Sequence, residues 1–67
     1  MRIVLNGEPR ELEDGATVAD AVDASGAESR SGIAVAVDGE VVPRGGWSGR
    51  SLADGQQVEV LQAVQGG

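Results

Sequence analysis

The sequence contains no cysteine, histidine, tyrosine or phenylalanine, and Trp47 is its only aromatic residue. Without cysteine there is no disulfide staple, no thiolate nucleophile and no iron–sulfur ligation. Without histidine the commonest metal ligand and general base is missing. The chain has few tools for chemistry of its own, so we expect no metal site, no catalytic residue and no independent enzyme. Lysine is absent as well, since all five cations are arginines. The chain therefore has no ε-amine that could attack an activated carboxyl. No apolar run has the length a bilayer demands. Met1-Arg2 leads directly into Ile3-Val4-Leu5, without the apolar core and small-residue cleavage site of a secretory signal. These features predict a cytoplasmic protein with no membrane partner.

What is present is acid and glycine. Eleven Asp and Glu against five Arg give a net charge of −6. That excludes nucleic acid as a partner, because such affinity rests on cations that neutralise phosphates. It suits a protein that docks on basic protein surfaces. A chain of 67 residues makes one domain, which buries only about 60% of its unfolded surface.

Taken in order, Arg2-Ile3-Val4-Leu5-Asn6 is a short apolar strand closed by Asn6-Gly7, a tight hairpin turn. Pro9 cannot donate to a ladder and belongs at the start or edge of the returning strand. Arg10-Glu11-Leu12-Glu13 reads as that edge strand, with Leu12 turned inward. After Asp14-Gly15, Thr17 is placed as a helix N-cap, with Asp20 completing a capping box. Val18, Ala21, Val22 and Ala24 form the apolar stripe, and Ser25-Gly26 stops the helix. Ala27 to Gly32 reads as a loop. Ile33-Ala34-Val35-Ala36-Val37 has the near-continuous apolarity of an interior strand, and Asp38-Gly39 turns it into Glu40-Val41-Val42. Pro43 ends that strand, and Arg44 to Arg50 is irregular and glycine-rich. Leu52 begins a return, Asp54-Gly55 turns, and Gln57 to Val64 forms the last strand.

In that last strand Val58, Val60 and Gln62 share one face, while Glu59, Leu61 and Ala63 share the other. Apolar residues on both faces place it centrally, beside the equally apolar first strand. One helix covers one face of a mixed sheet of about four to five strands, an α+β roll. Val4, Leu61 and Ala63 fall on the face the helix does not cover, which marks them as a candidate partner-docking face.

The remaining motifs carry no chemistry. Gly45-Gly46 and Gly49 lack the spacing and the lysine of a phosphate-binding loop. Asp14, Asp38 and Asp54 are turn residues without calcium-loop spacing. Trp47 is read as a plug at one edge of the core. The sequence ends on Gln65-Gly66-Gly67. Two residues without Cβ can thread a channel too narrow for any side chain. An extended segment from Ala63 onward reaches roughly 15 Å, at about 3.3–3.6 Å per residue. We therefore divide the chain into a domain at 1–63 and a flexible tail at 64–67.

Val42-Pro43-Arg44 followed by Trp47, then Asp54-Gly55 and a last strand ending in Gly66-Gly67, resembles the ThiS family, the sulfur carrier proteins of thiamine biosynthesis. The resemblance runs from Ile3 to Gly67. It implies a ubiquitin-like β-grasp fold, and a carrier that is free as a monomer and holds no permanent cofactor. An E1-like adenylating enzyme would use MgATP to activate the Gly67 carboxyl. Sulfur from a cysteine desulfurase or another source would replace AMP and leave a C-terminal thiocarboxylate. Thiazole synthase would take that sulfur. Gly66 and Gln65 would thread into the partners. The chain departs from its relatives in having Gln65 before the glycines and no phenylalanine in the last strand. Related carriers serve molybdopterin or cysteine synthesis, and related modifiers are joined to target lysines. Val42-Pro43-Arg44 with Trp47 favours thiamine, as does the absence of proline between Val60 and Gln65.

Overall fold

A computed structural model describes residues 1–27 and 31–62. Strands β1 (Arg2–Leu5) and β2 (Glu8–Glu11) are followed by helix α1 (Val18–Ala24), then by β3 (Ile33–Val37) and β4 (Glu40–Val42). A 3₁₀ turn at Arg44–Gly46 precedes β5 (Gln57–Gln62). The five strands form one sheet in the order β2-β1-β5-β3-β4. β1 and β5 run parallel at its centre, and every other pairing is antiparallel. One helix on a mixed sheet is the β-grasp arrangement that the resemblance implied.

Both hairpins close on two-residue turns with positive φ at each position, 51° and 83° at Asn6-Gly7 and 49° and 83° at Asp38-Gly39. Their twist matches that of the flanking strands. The first turn sets Leu5 opposite Glu8, so pairing begins immediately and β2 ends at Glu11. The strand expected at Arg10–Glu13 is thus displaced toward Pro9. Proline is tolerated there for a specific reason. Val4 donates its N–H to the Gln56 carbonyl on the β5 side. Its pair with Pro9 therefore exchanges no hydrogen bond, and the missing donor faces outward from the edge. Leu12 lies just past the strand, half-buried against the core as its apolar character requires.

The capping box of α1 is complete. The Asp20 N–H donates to Thr17 Oγ1 at 3.4 Å, and the Thr17 N–H donates to Asp20 Oδ2 at 2.8 Å. At the other end Gly26 takes φ 81°, and the Arg10 guanidinium donates to the Ala24 carbonyl at 3.0 Å. α1 has no basic residue in its last turn, so β2 supplies the cation that the negative end of its dipole favours. Seven residues do not form a helix alone. α1 is held by burying Val18, Ala21 and Val22 against Ile3, Leu5, Val35, Val37 and Val58. Ala19 is buried too, outside the expected stripe, because its N–H donates to the Trp47 carbonyl and the Trp47 segment covers it.

Trp47 is 2% exposed and donates its indole N–H to the Val42 carbonyl at 2.9 Å. The ring plugs the core beside Leu52, as the sequence suggested. Leu52 continues no strand. It enters by a single bridge between Ser51 and Thr17, with the Leu52 N–H on the Ala16 carbonyl at 2.8 Å. Among the described residues no polar or charged residue is buried, and no helix is long and apolar enough to cross a membrane.

Thr17→Ala removes the hydroxyl half of the box, while the backbone N–H at position 17 can still donate to Asp20, and should cost about 1 kcal/mol. For a domain this small that lowers the melting temperature by roughly 4–8 °C. Thermal denaturation followed by circular dichroism checks this, and an unchanged midpoint would mean the Thr17 hydroxyl contributes nothing.

Candidate docking face and tail anchor

The parity of β5 decides which side chains face the helix. Val58 and Val60 point into the core, at 0% and 8% exposure, while Glu59 and Leu61 point away. Gln62 shares the parity of Val60 but is exposed. On the open side Val4 is half-buried beside Leu61, which is 63% exposed. The two line a shallow cleft with Asn6 and Glu59. The third residue of the expected docking face, Ala63, lies outside the described residues, as do Val64, Gln65, Gly66 and Gly67.

The open face is wider than the sequence reading placed it. Val41 on β4 is 72% exposed, and its partner Ala36 on β3 sits opposite Glu59. Val41 neighbours the buried Val42 on a strand and so points to the opposite face. An apolar patch of Val4, Leu61, Ala34 and Val41 thus crosses the sheet, with the Glu59 carboxylate in its midst.

Asn6 was read only as a turn residue, and the structure gives it a second duty. β1 ends at Leu5, so past Val58 the neighbouring edge of β5 has no strand beside it. The Asn6 side chain fills one position of that gap. Its Oδ1 accepts the Val60 N–H at 2.8 Å, and its Nδ2 donates to the Val60 carbonyl at 3.2 Å. The amide imitates one residue of a parallel strand. It fastens β5 two residues before Gln62, at the base of the C-terminal segment. A turn residue tolerant of positive φ can also carry an amide, and no local sequence pattern shows what lies 54 residues away.

A second hollow, lined by Glu13, Asp14 and Asp20, sits near the start of α1. Among the described residues no cluster of carboxylates could hold a metal ion. Asn6→Ala should cost about 1–3 kcal/mol through two lost hydrogen bonds and a strained φ. Amide exchange at Val60 should quicken more than at Val58. Equal protection at Val60 in wild type and variant would show that the clamp holds nothing.

These elements can be set beside known proteins. A search of curated protein sequences gives no match. Among solved structures, the crystal structure of the thiamine biosynthesis protein ThiS from Geobacter metallireducens superposes with a TM-score of 0.82. It is 26% identical in sequence, and the alignment covers 100% of both chains. The model of the ThiS family matches residues 3–67, which takes in the central strand pair, the open sheet face and the terminal glycines. The chain belongs to the ThiS family.

Proposed function

We propose that this protein is a sulfur carrier of thiamine biosynthesis, whose cargo is held at the carboxyl of Gly67. The observation that carries the reading is the extent of the family match, which includes Gly66-Gly67 as well as the folded body. The full-length likeness to a thiamine biosynthesis protein supports the pathway. The side-chain chemistry agrees with a substrate role. No side-chain thiol, imidazole or ε-amine is present to perform the transformation, which agrees with the terminal carboxyl as the reactive group and with partner enzymes acting on it.

The mechanism divides between body and tail. An E1-like enzyme joins the Gly67 carboxylate to AMP with loss of pyrophosphate from MgATP, which turns an inert carboxylate into an acylating group. Sulfur drawn from cysteine as a desulfurase persulfide displaces AMP to give an acyl disulfide. A thiol then reduces that S–S bond, becoming a disulfide itself and freeing the thiocarboxylate that thiazole synthase takes. MgATP belongs to the partner, and this chain holds no cofactor. Gly66 and Gln65 lie in the partner's channel. The absence of lysine leaves no ε-amine in the chain for the acyl-adenylate to modify. Val4 and Leu61 on the open sheet face, together with Ala63, dock the body so that the tail enters in register.

Deleting Gly67, or adding one residue after it, should abolish sulfur transfer to the thiazole product while leaving the thermal midpoint unchanged. Full activity in either variant would refute the reading. Leu61→Glu places a charge on the docking face at a solvent-exposed site, so stability should change by no more than about 0.5 kcal/mol. Its KM as the substrate of the adenylating enzyme should rise by roughly tenfold or more. A folded variant with an unchanged KM would remove Leu61 from the interface.

A further inference from the structure

We propose that Arg44 is a docking residue whose guanidinium pairs with a carboxylate on the adenylating partner, beside the entry path of the C-terminal segment. The proposal rests on the sulfur-carrier reading and adds to it a specific contact and its chemistry.

Val42, Pro43 and Trp47, which flank Arg44 in the motif, each have a structural duty. Val42 is buried, and its carbonyl receives the Trp47 indole N–H. Pro43 enters the 3₁₀ turn with φ −60°, the value its ring imposes. Trp47 fills the core. Arg44 has no such duty. It is exposed, and among the described residues nothing forms a hydrogen bond or ion pair with its side chain. Arg2, Arg10 and Arg50 are occupied by Glu11, the Ala24 carbonyl and Glu40 respectively. An unpaired arginine on a chain of net charge −6 stands out against its acidic surroundings.

Gly45 and Gly46 supply a second observation. Neither has the positive φ that would require glycine. A Cβ on Gly45 would meet nothing within 4 Å, and one on Gly46 would meet only Val42 Cγ1, at an ordinary 3.7 Å. The fold therefore tolerates larger residues at both positions. Bare backbone there lets another surface close up against the Arg44 side chain.

The topology places this site well. β3 is antiparallel to both β4 and β5, so those two strands run in the same direction. Val42 and Val60 both lie opposite Val35. Arg44 follows Val42 at the end of the sheet where Gln62 ends β5, so a protein that receives the tail passes close to it. An acidic carrier is attracted to a basic surface by its overall field, which does not fix the angle of approach. One cation that demands a carboxylate opposite does fix it, and penalises partners that lack the acid. The planar fork of arginine suits a carboxylate better than the ammonium of lysine would.

The test uses the full chain with an E1-like adenylating enzyme and MgATP, following pyrophosphate release against carrier concentration at two salt concentrations. Arg44→Ala should raise KM by about fivefold and Arg44→Glu by more than about tenfold, with kcat unchanged. Arg44→Lys should fall between Arg44→Ala and wild type. The salt dependence of KM should be weaker in Arg44→Ala, and all variants should keep the wild-type melting temperature. A KM for Arg44→Glu within about twofold of wild type, or a loss confined to kcat, overturns the proposal while wild-type adenylation leaves the carrier reading standing. A wild-type chain that is never adenylated overturns both.

Discussion

The parallel pairing of β1 with β5 is the interaction on which the rest of the molecule depends. It joins the two ends of the sequence, with the Val4 and Asn6 N–H groups on the Gln56 and Val58 carbonyls at 2.9 Å. A parallel pair needs a crossover, and here nearly the whole chain serves as one. α1 lies across that pair and buries Ile3, Leu5 and Val58. The β3–β4 hairpin then completes the sheet on the far side of β5. Because β5 is flanked on both sides, its direction is fixed, and so is the end of the sheet from which the C-terminal segment departs. In a sulfur carrier that direction matters, since the carboxyl must arrive at the partner in one orientation.

A domain this small has little apolar area with which to offset its conformational entropy. Polar turn residues compensate by finishing the ladders where strands run out. Asn6 completes β1 alongside Val60. Asp38 accepts the Gln57 N–H at 2.9 Å and so ties the β3–β4 turn to the start of β5. Asp54 accepts the Arg2 N–H at 2.8 Å and secures the other end of the central pair. Each is a charge-assisted or bidentate contact to backbone, stronger than the exposed ion pairs of the surface. The acids that give the chain its charge therefore also help to hold its sheet together.

Local chemistry made much of this fold legible in the sequence. The Asn6-Gly7 and Asp38-Gly39 turns, the Thr17–Asp20 box and the Gly26 stop each depend on residues within a few positions of one another. Alternation in β5 separated Val58 and Val60 from Leu61, which located the open face through Leu61 and Val4. Contacts between distant segments were not legible. Ala19 is buried only because the Trp47 segment folds over it, and Asn6 clamps Val60 only because β1 and β5 are neighbours. The start of β2 was misplaced because proline weakens the strand signal, while the register that excuses Pro9 is set by β5. Val41 was passed over because β4 has only three residues, too few for alternation to stand out. The role of Gly67 was never a matter of folding. It came from the resemblance and stays a proposal; what the match over residues 3–67 shows is the family.

The central claim is that this chain carries sulfur on its own C-terminal carboxyl. Intact mass spectrometry after incubation with the adenylating enzyme, MgATP, a desulfurase, cysteine and a thiol reductant tests it most directly. The account predicts a mass increase equal to the exchange of one oxygen for one sulfur, which fragmentation localises to Gly67. An unmodified terminus, or an isopeptide to a target lysine with no thiocarboxylate formed, would contradict it.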